Sequence, residues 1–229
     1  MKKIVFIYTL MFGFSLVAQS KITKKLGDYT TLKVYNGIEL ELIKSNDQKL
    51  EITGEKSELV KVKNVNNTLK LSLPFSLKPS ENAADGKVLI KLFYNKNIAI
   101  IDANEGATIT GKDFNQDKIE VDCQERAFIN LTSTTKYLKV TATSGGIIKL
   151  TGTTDNQEVN VDLYGTYHGF NLKASGNSNV NAGTGAKAEV LAGKTLNAKV
   201  GFGGSIFYKG DPIVVKDKKV IGGIIQKRD

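Results

Sequence analysis

The sequence of 229 residues contains no tryptophan, 3 prolines, a single cysteine and a single histidine. One cysteine cannot form an internal disulfide, so the stability of the chain must come from packing and backbone hydrogen bonds. Any catalytic triad or multi-histidine metal site would have to use His168. Phosphate-binding loops, zinc-ligand spacings and calcium-binding repeats are absent as well. The sequence therefore predicts no catalytic residue, no metal site and no cofactor.

The N-terminal segment has the pattern of a secretory signal peptide. Lys2 and Lys3 precede an apolar run over residues 4–17, and Ala18 is a small residue where a signal peptidase could cleave. The run is about 14 residues long, shorter than the 18 or more that span a membrane. We expect residues 1–19 to be removed and the exported chain, without a membrane span, to reach the periplasm or the cell surface. An uncleaved anchor is the alternative.

The chain carries a net positive charge. The formal net charge of +9 falls to +7 when Lys2 and Lys3 are removed with the signal segment. Such an excess could attract anionic glycans, lipopolysaccharide or membrane surfaces. The alternative is that scattered lysines protect solvent faces and strand edges from aggregation. No basic cluster is interleaved with aromatic residues, which disfavours a nucleic-acid partner.

The second half of the chain repeats with a period of about 19 residues, within the range of solenoid repeats. Alternate residues of each repeat are apolar and the residues between them are polar, so one side of each strand faces inward. Stacked coils would bury this apolar side and pair each backbone with the next. We therefore predict an all-β, single-stranded parallel β-helix, a β-solenoid. The aligned inward positions, with steps of 20, 19, 21, 19 and 18 residues, are Ile101, Val121, Val140, Val161, Val180 and Ala198.

The same alignment predicts what faces inward and what faces solvent beside these positions. Cys123 is expected inside, next to Val121. On the outside, Asp102 and Asp122 are expected on adjacent rungs, where they could serve a retaining glycosidase or, as is far commoner, be solvated charges. The outward residues that could stack as an amide ladder are Asn160, Asn179 and Asn197.

One coil interrupts the repeat with bulky aromatic residues. The alignment places Leu163 inside, Tyr167 in a column of small residues and Gly169 on the second inward strand. An aromatic surface patch could stack on a sugar ring, with a histidine adding a hydrogen bond. The candidate ligand-binding residues are therefore Tyr164, Tyr167 and His168. The alternative is that the two tyrosines pack in the core.

Several segments resemble the auto-transporter adhesin head GIN domain family. These are Asn36-Gly37-Ile38, the repeated coils, and the closing segment 203–212 with its sequence GGSIFYKGDP. The resemblance covers residues 29–212, which leaves residues 213–229 as a C-terminal tail or capping segment. It implies a β-solenoid with an adhesin role, and its motifs are structural rather than catalytic.

The resemblance and the residues together favour a non-enzymatic exported protein of the cell envelope or surface. The expected partner is a glycan or another surface component, bound through a wall of the solenoid. A polysaccharide-processing enzyme on the same fold is one alternative. A purely structural envelope component is the other.

Overall fold

The computed structural model describes residues 21–74, 84 and 86–229. The predicted signal peptide, residues 1–19, lies outside this range. Among the described residues no helix has the length and apolar character needed to cross a membrane. Apart from a 3-10 turn at Ser57–Leu59 the elements are strands: β1 Ile22–Lys25, β2 Thr31–Val34, β3 Glu39–Lys44, β4 Lys49–Thr53, β5 Lys61–Val65, β6 Thr68–Ser72, β7 Leu89–Tyr94, β8 Ile100–Ala103, β9 Thr108–Asn115, β10 Lys118–Cys123, β11 Phe128–Ala142, β12 Ile147–Val161, β13 Thr166–Ala174, β14 Asn177–Ala182, β15 Lys187–Leu191, β16 Thr195–Val200, β17 Ser205–Lys209, β18 Val214–Lys219 and β19 Ile224–Lys227.

The strands form two parallel stacks that enclose one apolar column. The outer surface of the first stack, here called face A, is formed by β6, β2, β8, β10, the second halves of β11 and β12, β14, β16 and β18. The outer surface of the second stack, face B, is formed by β7, β3, β9, the first halves of β11 and β12, β13, β15, β17 and β19. The predicted parallel β-solenoid with coils of about 19 residues is confirmed.

The N-terminal end of the stack departs from the repeat. Strands β6 and β7 lie outside β2 and β3, although they follow them in the chain. Beyond these, β5 pairs antiparallel with β6, while on the other stack β4 pairs antiparallel with β7 and β1 pairs antiparallel with β4. Asn66 and Asn67 join β5 to β6 with positive φ angles of 51° and 58°, the geometry that favours asparagine in a tight hairpin.

The core consists of the inward positions of both stacks. Ile101, Val121 and Val140 are fully enclosed and lie on successive rungs. Cys123 is only 1% exposed, as the alternation predicted. Burial raises the pKa of its thiol to about 12, so the free thiol stays protonated and unreactive in the folded protein.

Four-residue turns connect face A to face B along one side of the stack, here called the turn edge. In each turn the fourth N–H donates to the first carbonyl, as Gly165 does to Asp162 at 2.8 Å. Successive turns are also bonded, as Tyr164 N is to the Thr184 carbonyl at 3.0 Å. A Cβ on Gly165 would lie 2.1 Å from the carbonyl oxygen of Ala142. The fourth position of this turn therefore needs glycine, and in every turn but the first, which has Ile38, the fourth residue is glycine or alanine. The eight turns are residues 35–38, 104–107, 124–127, 143–146, 162–165, 183–186, 201–204 and 220–223.

The predicted alignment is wrong by two residues in one coil. Val140 pairs with Val159 rather than with Val161, and the steps along the column are 20, 19, 19, 21 and 18 residues. Leu163, predicted inside, lies in a turn and is 48% exposed. The two extra residues lie later in the coil. One lies where the pairing of β13 shifts register between Lys149 and Thr151 of β12, and the other lies between the pairs Thr154 with Ala174 and Gln157 with Ser178. Such a bulge adds residues to one strand without lengthening its partner.

Residues 213–229 contain β18 and β19, which add a last coil to the stack. Two inward positions of β18 are occupied by Asp217 and Lys219, which lie over Ala198 and Val200. These charged side chains occupy positions that are apolar in the preceding coils. The apolar column therefore ends in a polar layer.

Candidate functional site

The three residues predicted to contact a ligand are not brought together. Tyr164 lies on the turn edge with 71% of its surface exposed, whereas Tyr167 is fully buried between the stacks. His168 lies on face B, paired with Lys149 and Glu189 of the neighbouring rungs. A ring without exposed surface cannot stack on a ligand. The prediction is therefore corrected for Tyr167, which belongs to the core.

Tyr167 is accommodated in the core by the residues around it. Its hydroxyl donates to Gln157 Oε1 at 3.4 Å, and Gln157 Nε2 donates to Ser178 Oγ at 3.0 Å. A Cβ on Gly169 would lie 2.5 Å from the Tyr167 ring, so glycine makes room for the ring. Since buried polar groups are unfavourable without partners, this buried chain of hydrogen bonds explains how a tyrosine fits inside the solenoid.

His168 is held in an ionic cluster on face B. Its Nδ1 lies 2.7 Å from Glu189 Oε2, and Lys187 Nζ lies 2.5 Å from Glu189 Oε1. Partial burial acts to raise the pKa of Glu189, but the hydrogen bonds from Lys187 and His168 outweigh it and lower that pKa. The carboxylate therefore stays charged and fixes the imidazole. A ligand contact at His168 or at Tyr164 stays a prediction.

Asp102 and Asp122 lie side by side on adjacent rungs of face A, as predicted, but Asp102 is only 6% exposed and is not a solvated charge. Asp102 accepts hydrogen bonds from Lys33 Nζ and Asn104 Nδ2, both at 2.8 Å. Burial raises the pKa of Asp122 to about 6, against the hydrogen bond from Thr141. Because both oxygens of Asp102 are already bonded within the protein, the two side chains do not form a free carboxylate pair.

The middle of face A carries stacked asparagines on neighbouring rungs. Asn181 Nδ2 donates to Asn160 Oδ1 at 2.8 Å, and Asn197 Nδ2 donates to Asn179 Oδ1 at 2.7 Å. The predicted amide ladder therefore exists, but Asn160 pairs with Asn181 instead of Asn179 because of the two-residue shift. The residues of this amide wall are Asn156, Asn160, Asn177, Asn179, Asn181 and Asn197.

A shallow groove of about 640 Å³ borders the amide wall, a volume typical of small-ligand sites. Tyr137, which is 56% exposed, forms one side of the groove. Asn156, Asn177 and Asn179 line it, together with Lys139, whose Nζ is bound to Glu120 Oε1 at 2.6 Å. The groove combines an aromatic face with amide donors and acceptors, and it also carries charge, because Lys118, which has no ion-pair partner among the described residues, and Glu158 line it as well.

Sequence reasoning did not single out Tyr137. The alternation placed Leu138 inward, which implies that Tyr137 faces solvent. Its place beside the asparagines depends on the rung-to-rung register, where Tyr137 pairs with Lys118 and Asn156. Only the correct rung-to-rung register would have shown from the sequence that Tyr137 lies beside the asparagines. In the part of the chain that the structure describes, no group of three or more metal-ligating side chains exists.

The chain is similar to proteins of one family and one fold. Residues 28–212 match the family described as "Putative auto-transporter adhesin, head GIN domain". A crystal structure of a putative adhesin from Bacteroides fragilis is 21% identical with a TM-score of 0.81, covering 92% of this chain and 97% of that one. A structure described as a putative lipid binding protein from Parabacteroides distasonis is 19% identical with a TM-score of 0.70, over 92% and 97% of the two chains. At these identities the likeness shows the fold alone. No curated protein matches the sequence.

Proposed function

The chain belongs to the family described as "Putative auto-transporter adhesin, head GIN domain", and on that premise we propose that it is a non-enzymatic adhesin-like protein that binds a glycan of the cell surface. The amide wall of face A, with the groove beside Tyr137, is the proposed binding surface. The observation that carries the proposal is the pair of amide ladders, Asn160 with Asn181 and Asn179 with Asn197.

The chemistry of the wall suits a neutral glycan. Sugar hydroxyls both donate and accept hydrogen bonds, and each asparagine amide offers both functions in one group. Among the described residues, Asn181 Oδ1 and Asn197 Oδ1 have no hydrogen-bond partner, so they are available to a ligand. The Tyr137 ring can stack on the apolar face of a sugar for about 1 kcal/mol. Because the wall is rigid, few side chains lose freedom on binding.

Glycan binding is testable with a glycan array followed by titration of the best ligand. We expect Tyr137→Ala to weaken binding about fivefold, the equivalent of one stacking contact, and Asn179→Ala to weaken it further. Tyr164→Ala is the matched control, because it removes another exposed tyrosine that lies outside the groove. Binding that falls with Tyr164→Ala and not with Tyr137→Ala would move the site to the turn edge. The absence of any glycan ligand would favour a purely structural envelope component.

We also propose that the protein is exported and acts in the periplasm or at the cell surface. The signal-like pattern of residues 1–19 and the adhesin family support this location. N-terminal sequencing of the protein from fractionated native cells should find a chain that begins near Gln19 or Ser20. Protein that keeps Met1 and stays in the cytoplasm would contradict the proposal.

A further inference from the structure

The turn edge changes character half-way along the stack. In the turns nearest the N-terminal end, the residues at the tips are polar or charged: Asn36, which is partly buried, and Glu105, Glu125, Arg126 and Ser144, which are exposed. In the later turns, Leu163, Tyr164, Phe202 and Ile221 are 48%, 71%, 65% and 76% exposed. We call these four residues the apolar ridge. Thr184 is the polar tip between Leu163 and Phe202.

The turns that carry the apolar ridge lie on successive rungs, with the turn of Thr184 between those of Tyr164 and Phe202. Tyr164 N donates to the Thr184 carbonyl at 3.0 Å, and Gly203 N donates to the Ile221 carbonyl at 3.2 Å. The intervening turn is bonded in the same way, from Gly185 N to the Phe202 carbonyl at 3.2 Å. With about 4.8 Å between rungs, the ridge extends for about 14 Å along the stack.

Folding alone does not favour these residues at these positions. Leu163, Tyr164 and Phe202 have positive φ angles of 45°, 63° and 46°, in the left-handed region where bulky side chains are disfavoured. The same turn geometry is occupied by Asn36 and Gly37 in the first turn, the pair that tight turns of this kind prefer. Since the ridge side chains are also largely exposed, they contribute little to the core. Their presence requires another explanation.

Unpaired cations lie next to the ridge. Lys199 and Lys218 are neighbours on adjacent rungs of face A, and both precede a turn of the ridge closely in the chain. Both are exposed, and neither forms an ion pair with another described residue. The acidic residue of this strand, Asp217, occupies the other side of it by alternation.

We propose that the apolar ridge and its lysines dock the protein on the surface of a bilayer that contains anionic phospholipids. Exposed aromatic and aliphatic tips can insert at the boundary between headgroups and acyl chains, while lysines contact the phosphates. The aliphatic members of the ridge offer no hydrogen bonds to a glycan. A second copy of the chain fits this surface poorly, because ridge-to-ridge contact would bring the lysines of two copies together.

Vesicle flotation of the protein purified from its native host tests the docking surface. Vesicles of phosphatidylglycerol and phosphatidylcholine in equal parts are compared with vesicles of phosphatidylcholine alone. The ridge variant combines Leu163→Asn, Phe202→Asn and Ile221→Asn. Asparagine suits the left-handed positions of Leu163 and Phe202, so the temperature of thermal unfolding should be unchanged or slightly raised. Leu59→Asn, which changes an exposed leucine far from the ridge in the chain, is the matched control.

We expect the wild type and the Leu59→Asn control to bind the anionic vesicles, and the ridge variant to bind them about tenfold more weakly. Replacing Lys199 and Lys218 with glutamine should remove the preference for anionic over neutral vesicles, and added salt should weaken the wild type. Equal binding by the wild type and the ridge variant would overturn the proposal. So would concentration-dependent dimers that the ridge variant abolishes, because the occupant would then be a second copy. The Tyr137→Ala variant, tested on glycans, reports on the other surface independently.

Discussion

At the scale of single residues, two tyrosines three positions apart have opposite environments. Tyr164 occupies the third position of a turn and faces solvent, whereas Tyr167 lies on the inward side of β13 and is fully buried. The difference follows from backbone geometry: the turn projects its tip outward, and the strand that follows alternates between core and surface. Aromatic character alone therefore does not identify a binding residue in this fold.

Substitution of the two tyrosines should separate their roles in folding. Tyr167→Ala removes a buried ring and leaves a cavity, so we expect a loss of about 3–5 kcal/mol in the free energy of unfolding. Tyr167→Phe removes only the hydroxyl that bonds Gln157 Oε1 and should cost about 1 kcal/mol. Tyr164→Ala, the control, should stay within about 0.5 kcal/mol of wild type. Urea titrations followed by circular dichroism measure all three. A Tyr167→Ala protein as stable as wild type would show that the ring is not part of the core.

At the scale of the coil, the sequence predicts the period and the alternation but not the location of an insertion. A shift of two residues leaves every inward side chain inward, because side chains alternate with a period of two. Val159 and Val161 are therefore both buried in either alignment. The error becomes visible only outside that strand, where Leu163 is exposed in a turn.

The alignment could have been corrected from the column of small residues, which is formed by the fourth position of each turn. Its position lies against the backbone of the preceding rung, where a Cβ on Gly146 would approach the Cys123 carbonyl oxygen to 2.2 Å. Gly165 satisfies this restriction in the interrupted coil, and Tyr167 could not. A requirement for glycine or alanine at the fourth position of the later turns is thus a sharper guide to register than the apolar columns. The same shift explains why Asn160 was assigned to the wrong amide ladder.

The N-terminal elements could not be placed from sequence. Strands β6 and β7 fill a rung outside β2 and β3. At the end of the stack, β5 pairs antiparallel with β6, and β4 pairs antiparallel with β7. Alternating apolar residues predict such strands, but no period relates them to the later coils. Their order depends on contacts between residues far apart in the chain, which local patterns do not contain.

At the scale of the whole molecule, each rung contacts chiefly its two neighbours, so stability should be shared between adjacent coils. The two ends of the stack are closed differently. Antiparallel strands cover the N-terminal end, whereas the last coil places Asp217, Lys219 and Lys227 at inward positions. A coil with charges in place of core residues contributes little apolar burial, which should make it the least stable part of the stack.

Hydrogen exchange measured by mass spectrometry should reveal this gradient. Val140 lies mid-stack and fully buried, so Val140→Asp places an unpaired charge between two rungs. The penalty, about 4 kcal/mol or more, is comparable with the 5–15 kcal/mol that holds a domain together, and protection should fall throughout the chain. Ile225→Asp, in the last coil, should abolish protection only in β18 and β19, because β16 and β17 keep their other neighbours. Lys139→Gln, on the outer side of the same strand as Val140, is the control. If Ile225→Asp unfolds every coil, the stack is a single cooperative unit, and coupling between distant rungs exceeds what nearest-neighbour pairing supplies.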